Sequence, residues 1–162
     1  MKDLIKNHIA EHQAVLGELS NLIPQIEGVA STLVNALKNG QTIFWCGNGG
    51  SASDSQHLAG ELVGRYKGDR KPLKSIALNA DSAVMTCIVN DYGYEYIYSR
   101  QVEGLGVKGD VLVGITTSGN SENVLNALIT ANEIGLKTIG FLGKGGGRAA
   151  SLVQQSIIIQ SD

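Results

Sequence analysis

The chain has 162 residues, 43% of them hydrophobic, and a net charge of −2, with a pI near 5.9. That is the size of one compact domain with a substantial core, and its slightly acidic balance excludes broad electrostatic capture of nucleic acid or an anionic membrane. No apolar run approaches the roughly 18 residues of a membrane span and no leader pattern opens the sequence, so a cytosolic protein with no direct nucleic-acid or membrane partner is expected.

Residues 2–39 carry apolar side chains at helical spacing, from Leu4, Ile5 and Ile9 through Leu33, Val34 and Leu37, with Pro24 dividing the run into a leading helical hairpin. Its apolar surface exceeds what one sheet face needs, which predicts packing on another subunit. Asn39-Gly40 ends the second helix. Strand-like and helix-like runs then alternate. Thr42–Cys46 reads as a strand, Ser51–Tyr66 as a helix, Ser75–Asn79 as a strand, and Ser82–Val89 and Tyr94–Gly104 as helices. Asp110–Ile115 follows as a strand, Ser121–Ile134 as a helix, Lys137–Leu142 as a strand, Arg148–Val153 as a short helix and Ser156–Gln160 as the last strand. Strands joined by helical crossovers predict an α/β fold: a three-layer αβα sandwich around a five-stranded parallel sheet, with residues 1–39 as N-terminal helices and 40–162 as the α/β core of a single domain. A helix covering the last strand is expected and finds no counterpart before Asp162.

Two turns stand out: Gly47-Asn48-Gly49-Gly50-Ser51 and Thr116-Thr117-Ser118-Gly119-Asn120-Ser121, each between a strand and a helix. The first amides of a helix lack internal partners and carry the positive end of its dipole, so anions settle there. Glycine lets the backbone approach the ligand, and serine and threonine add hydroxyl donors. At about 1.5–3 kcal/mol per bond to a charged group, four or five such bonds hold a phosphate dianion against water. Two such turns at the carboxyl ends of strands in one sheet can share a crevice.

His57 and Glu61, four apart on the helix after the first turn, lie on one face. Spacing alone leaves open a surface pair, two ligands of a zinc-type ion, or a carboxylate base beside a tuning group. His8 and His12 share the spacing without an anion-binding turn and read as helix-surface residues. The run Asn90-Asp91-Tyr92-Gly93-Tyr94 fits either an Asx-capped turn or a loop reaching sugar hydroxyls. Gly47, Gly49 and Ala52 match the spacing of a dinucleotide fingerprint, but Asp69 and Asp81 are misplaced for its acidic residue. Gly143-Lys144-Gly145-Gly146-Gly147-Arg148 has the wrong spacing for a Walker loop and reads as a flexible turn. The basic stretch Arg65–Lys74 reads as a solvated loop, with an active-site role open for Arg65. Cys46 and Cys87 read as packed thiols, with a catalytic role open for Cys46 beside the first turn.

Cys46-Gly47-Asn48-Gly49-Gly50-Ser51, His57-Leu58-Ala59-Gly60-Glu61-Leu62, Gly64-Arg65-Tyr66, Asn90-Asp91-Tyr92-Gly93 and Thr117-Ser118-Gly119-Asn120-Ser121 occur in an order and spacing that resemble the sugar-isomerase (SIS) domain. More narrowly, they resemble the phosphoheptose (sedoheptulose 7-phosphate) isomerase family across nearly the whole chain. The resemblance implies a flavodoxin-like sheet, a homotetramer, and cytoplasmic heptose biosynthesis for bacterial lipopolysaccharide. It implies that Asn48, Gly49, Gly50 and Ser51 line the sugar-phosphate site, that Thr116, Thr117, Ser118 and Ser121 take the phosphate, and that Asn90 and Asp91 contact sugar hydroxyls. His57 and Glu61 become Zn2+ ligands, Glu61 also contacting substrate as the catalytic acid/base. The family's further glutamine and histidine, on a final helix, match nothing here. The implied reaction is aldose–ketose interconversion through an enediol. The competing expectation is a non-catalytic SIS protein that binds the bacterial replication initiator.

Overall fold

The computed structural model describes residues 1–161. Its elements in chain order are helices α1 (Lys2–Glu18) and α2 (Ile23–Lys38), strand β1 (Ile43–Gly47), α3 (Gly50–Val63), β2 (Ser75–Ala77), α4 (Ser82–Tyr92) and α5 (Ser99–Leu105). β3 (Val111–Thr116), α6 (Glu122–Glu133), β4 (Lys137–Gly143) and β5 (Gln155–Ile159) complete them. All strand pairs are parallel and the order is β2-β1-β3-β4-β5, the flavodoxin-like arrangement.

Alternation along the strands divides the core. Phe44 and Cys46 of β1 and Leu112 of β3 point to one side, where Leu78, Tyr98, Val102, Val124 and Leu128 cover them. Ile43 and Trp45 of β1 with Val111 and Val113 of β3 point to the other side, against Val29, Ala36 and Ala59 of α2 and α3. A parallel sheet covered on both faces needs apolar residues at consecutive positions, and β1 and β3 supply them. Asp110, 2% exposed, closes the lower edge: its carboxylate accepts from Thr42 N at 2.8 Å and Val107 N at 3.0 Å.

The N-terminal division falls at Leu19–Leu22, a 3-10 turn, rather than at Pro24. Pro24 sits in the first turn of α2, where a missing N–H leaves no intrahelical bond unmade. Glu18, Leu19, Leu22 and Ile23 all keep right-handed helical dihedrals, so α1 runs on into α2 without an extended connection. α1 buries none of its residues, and Leu4, Ile5, Ile9 and Leu16 stay more than half exposed. Two further elements differ from the sequence reading. The run Tyr94–Gly104 splits into a 3-10 turn at Tyr94–Tyr96 and α5, and the short helix after β4 is a 3-10 turn, Arg148–Ser151. Among the described residues, no helix is long and apolar enough to cross a membrane.

Candidate active site

The sheet order makes β1 the point where the chain reverses direction: β2 is added on one side of it, and β3, β4 and β5 on the other. Ligands of open α/β sheets bind in the crevice at the carboxyl ends of the strands flanking such a point. Gly47, the last residue of β1, pairs with Ile115 near the end of β3. Strands about 4.8 Å apart therefore deliver both glycine- and serine-rich turns to one edge, side by side.

In the first turn Gly49 has φ 58° and ψ −121°, a conformation reserved for glycine, and its carbonyl accepts from Ala52 N and Ser53 N. Asn48, between Gly47 and Gly49, is held by side chains. Its Nδ2 donates to Asn123 Oδ1 at 2.9 Å, and its Oδ1 accepts from Asn123 Nδ2 at 2.8 Å and Tyr94 OH at 2.8 Å. In the second turn Thr116 is buried and its hydroxyl lies 3.1 Å from that of Ser121. Thr117 and Ser118 are exposed, with Asn120 N donating to Ser118 Oγ at 3.2 Å. Ser121 precedes α6 without a side-chain capping bond.

The turn after β4 is tied down rather than flexible. Ala149 N donates to Gly119 O at 2.9 Å, Arg148 N to Asn120 Oδ1 at 3.1 Å, and Arg148 Nη1 to Glu122 Oε2 at 2.8 Å. Gly119, at φ 65°, sits so close to this turn that a Cβ would lie 1.9 Å from Gly146 O. A groove of about 520 Å³ runs beside both turns, lined by Ser51, Asp54 and Thr117 together with the apolar Phe141, Ile157 and Ile159.

The acid–imidazole pair sits elsewhere. His57 Nε2 lies 3.3 Å from Glu61 Oε1, with His57 73% and Glu61 34% exposed. Glu61 Oε2 is buried without a hydrogen-bond partner, an acceptor left free for a ligand. Arg70 holds the end of α3, donating to Glu61 O at 2.6 Å and Leu62 O at 2.8 Å. Among the described residues no three His, Cys, Asp or Glu side chains gather into a metal-type cluster; His57 and Glu61 together could offer two of the four ligands a tetrahedral ion needs. α3 runs back from the turns toward the start of β2, and at 1.5 Å per residue Glu61 stands about 16 Å along it from Gly50. Within one chain, then, the turns share an edge and Glu61 lies well away from it.

Asn90 and Asp91 lie in the last turn of α4, both exposed, where Asn90 Nδ2 donates to Asp91 Oδ1 at 2.7 Å and Cys87 Sγ contacts Asp91 Oδ2 at 3.7 Å. Cys87 is therefore an exposed thiol, not the packed one its apolar neighbours suggest. Cys46 is buried, and burial pushes its pKa up to about 12, which removes the thiolate that a nucleophile needs. Burial also raises the Tyr98 pKa, with smaller contributions from Cys46 and Tyr94. Tyr98 OH donates to Gly47 O at 2.5 Å. His8 and His12 stay on the surface of α1: His8 meets Glu11 at 3.6 Å, and the His12 ring bonds the His8 carbonyl. The sequence reading places Tyr94 only in a turn or sugar-reaching loop and misses Asn123; they come 46 and 75 residues after Asn48, and no local pattern pairs either with it.

Fold and paired turns define an α/β sugar-phosphate-binding module, and the SIS domain family model matches residues 7–143. The phosphoheptose isomerase of Campylobacter concisus is 49% identical, the alignment covering 91% of this chain and 78% of that protein. That of Geotalea daltonii is 48% identical, covering 100% and 85%. Among solved structures, the phosphoheptose isomerase of Neisseria gonorrhoeae superposes with a TM-score of 0.92 at 36% identity, and that of Francisella tularensis with 0.94 at 34%, each over 99% of this chain and 86% of the other. The chain belongs to the phosphoheptose isomerase family of SIS domains and is a sugar-phosphate isomerase.

Proposed function

We propose that the chain interconverts sedoheptulose 7-phosphate and D-glycero-D-manno-heptose 7-phosphate in the cytoplasm through an enediol, on behalf of bacterial surface polysaccharide. The observation that carries this reading is the meeting of a glycine-rich turn and a hydroxyl-rich turn at the β1–β3 switch point. Thr116, Thr117, Ser118 and Ser121 hold the phosphate there, and Asn48, Gly49, Gly50 and Ser51 line the adjoining sugar site. Asn90 and Asp91 take sugar hydroxyls. The phosphate is remote from the reacting carbons, so its binding energy serves orientation.

Glu61 is the base. Its carboxylate takes the proton from the hydroxyl-bearing carbon beside the carbonyl, and the C–H electron pair becomes the C=C bond of the enediol as the carbonyl oxygen gains a proton. The carboxylate then returns its proton to the former carbonyl carbon, the C=C pair forming the new C–H bond, while the neighbouring hydroxyl gives up its proton and its O–H pair becomes the new C=O. His57, 3.3 Å away, and Glu61 with its unpartnered Oε2 would suit Zn2+ as two of its ligands. A bound zinc supplies charge stabilisation for the developing oxyanion.

A heptose 7-phosphate spans about 10 Å from carbonyl to phosphate on ordinary bond lengths, less than the roughly 16 Å of helix between Gly50 and Glu61. We therefore place the phosphate turns of one protomer opposite Glu61 of another, in a homotetramer that also covers the apolar face of α1. The test is a coupled assay with sedoheptulose 7-phosphate. Glu61→Gln should abolish turnover and leave ligand binding intact, and undiminished turnover would remove Glu61 from the mechanism.

A further inference from the structure

The amide orientation of Asn48 is fixed by a chain of bonds that begins at a backbone N–H. Val124 N donates to Asn123 Oδ1 at 2.9 Å, and a backbone N–H can only donate, so that atom of Asn123 is the oxygen. The group of Asn48 that meets the same atom at 2.9 Å must then be its Nδ2, and the group 2.8 Å from Asn123 Nδ2 must be its Oδ1. Tyr94 OH, 2.8 Å from that oxygen, donates to it. Tyr98 OH also lies 3.4 Å from it, but its single proton goes to Gly47 O at 2.5 Å. Both lone pairs of Asn48 Oδ1 are filled, one Nδ2 proton is taken, and one remains. Asn123 is 2% exposed, so the Asn123 side of this pairing is buried, while its bonds to Asn48 are partly buried.

We infer that Asn123 and Tyr94 are positioning residues that lock the Asn48 carboxamide, so that Asn48 offers a bound sugar phosphate one N–H and no acceptor. The group it meets is an oxygen lone pair, a carbonyl or hydroxyl oxygen of the sugar, and a hydroxyl that needs an acceptor must find it elsewhere. The inference rests on the placement of Asn48 in the sugar-phosphate site. It also links the two turns mechanically, because Asn48 belongs to the first and Asn123 stands on the first turn of the helix after the second.

Two measurements on the full chain decide it. In ligand-free protein, NMR of the side-chain amides should show one Asn48 Nδ2 proton exchanging slowly and its partner quickly, with the slow one lost in Asn123→Ala. Two fast protons in the wild type would overturn the lock. Calorimetric titration with sedoheptulose 7-phosphate should then show affinity falling about tenfold in Asn48→Ala and in Asn123→Ala, and no further in the double variant, because Asn123 acts only through Asn48. Losses that multiply would mean that Asn123 has a merely structural role. Tyr94→Phe keeps the pair of amides and should lose less than either, which preserves the test if Asn123→Ala does not fold. A wild type that does not bind this sugar defeats the substrate assignment, and the amide exchange then decides the lock by itself.

Discussion

Gly119→Ala separates a turn that is merely glycine-rich from one that is built around a missing side chain. At φ 65° an L-residue is strained by about 1–2 kcal/mol. The added Cβ would also meet Gly146 O at 1.9 Å, Gly146 C at 2.4 Å and Gly147 N at 2.8 Å. Those are backbone atoms, and they cannot turn aside as a side chain would. Retreat is further blocked because Ala149 N bonds Gly119 O and Arg148 N bonds Asn120 Oδ1. Adding about 1–3 kcal/mol for overpacking gives a destabilisation of about 2–5 kcal/mol, or roughly 4–20 °C in melting temperature for a chain of this size. Gly145→Ala is the control: its φ is 76°, but no atom lies within 4 Å of its Cβ, so only the strain remains. Differential scanning calorimetry of both variants, followed by titration with sedoheptulose 7-phosphate below their melting points, should show the larger loss of stability and a weakened affinity in Gly119→Ala alone. Equal melting temperatures with unchanged affinity would refute the argument that the turn after β4 braces the phosphate turn.

Mixing subunits tests where Glu61 acts. Glu61→Gln and the double variant Thr117→Ala/Ser118→Ala should each be inactive alone, yet co-assembly of equal amounts should restore activity at about one quarter of the sites if each site draws on two chains. No recovery in verified mixed oligomers would return Glu61 and the turns to a single chain. The two thiols should differ sharply toward a thiol reagent at pH 8, exposed Cys87 reacting at once and buried Cys46 only on unfolding. For Cys46 the folded pKa, about 12, exceeds the ordinary 9.0. Its contribution to stability is thus fully present below pH 9 and is lost as pH rises toward 12, where only the unfolded chain ionises first. That loss is roughly 4 kcal/mol. Alkaline denaturation midpoints should therefore rise in Cys46→Ala relative to its neutral-pH stability, and an identical pH profile for variant and wild type would contradict this.

The parallel sheet and both turns were legible because each is written locally. The runs at Ile43–Cys46 and Val111–Ile115 are apolar at consecutive positions, and the small residues that follow them mark where a strand must hand over to a helix. His57 and Glu61 were legible as a pair for the same reason, since helical spacing alone puts them on one face. The boundary between α1 and α2 was not, because Pro24 is a strong breaker inside a helix and a good residue in its first turn. Cys87 was misjudged because its neighbours Met85 and Ile88 are apolar while its own face of α4 points outward. The asparagine pair and the brace after β4 depend on contacts between segments far apart in sequence, and a chain without visible repeats offers no period from which to read them.

The direction of α3 carries the functional consequence. A crossover helix in a parallel sheet must run from the carboxyl end of one strand to the amino end of the next. The N-terminus of α3 therefore lies beside the two turns, and a side chain three turns later lies toward a different edge of the same molecule. A sugar phosphate whose two ends both need protein groups cannot be served by one α3 at both ends. In the assembly we propose, a second copy turns its α3 toward the first copy's turns. The unburied apolar face of α1, with Leu4, Ile5, Ile9 and Leu16 more than half exposed, gives such a copy a surface to pack on. Disrupting that face, for example by Ile5→Asp with Ile9→Asp, should dissociate the assembly in analytical ultracentrifugation and abolish turnover while leaving the groove beside Ser51 and Thr117 able to bind phosphate. A dissociated protein that still isomerised the sugar would show that one chain suffices.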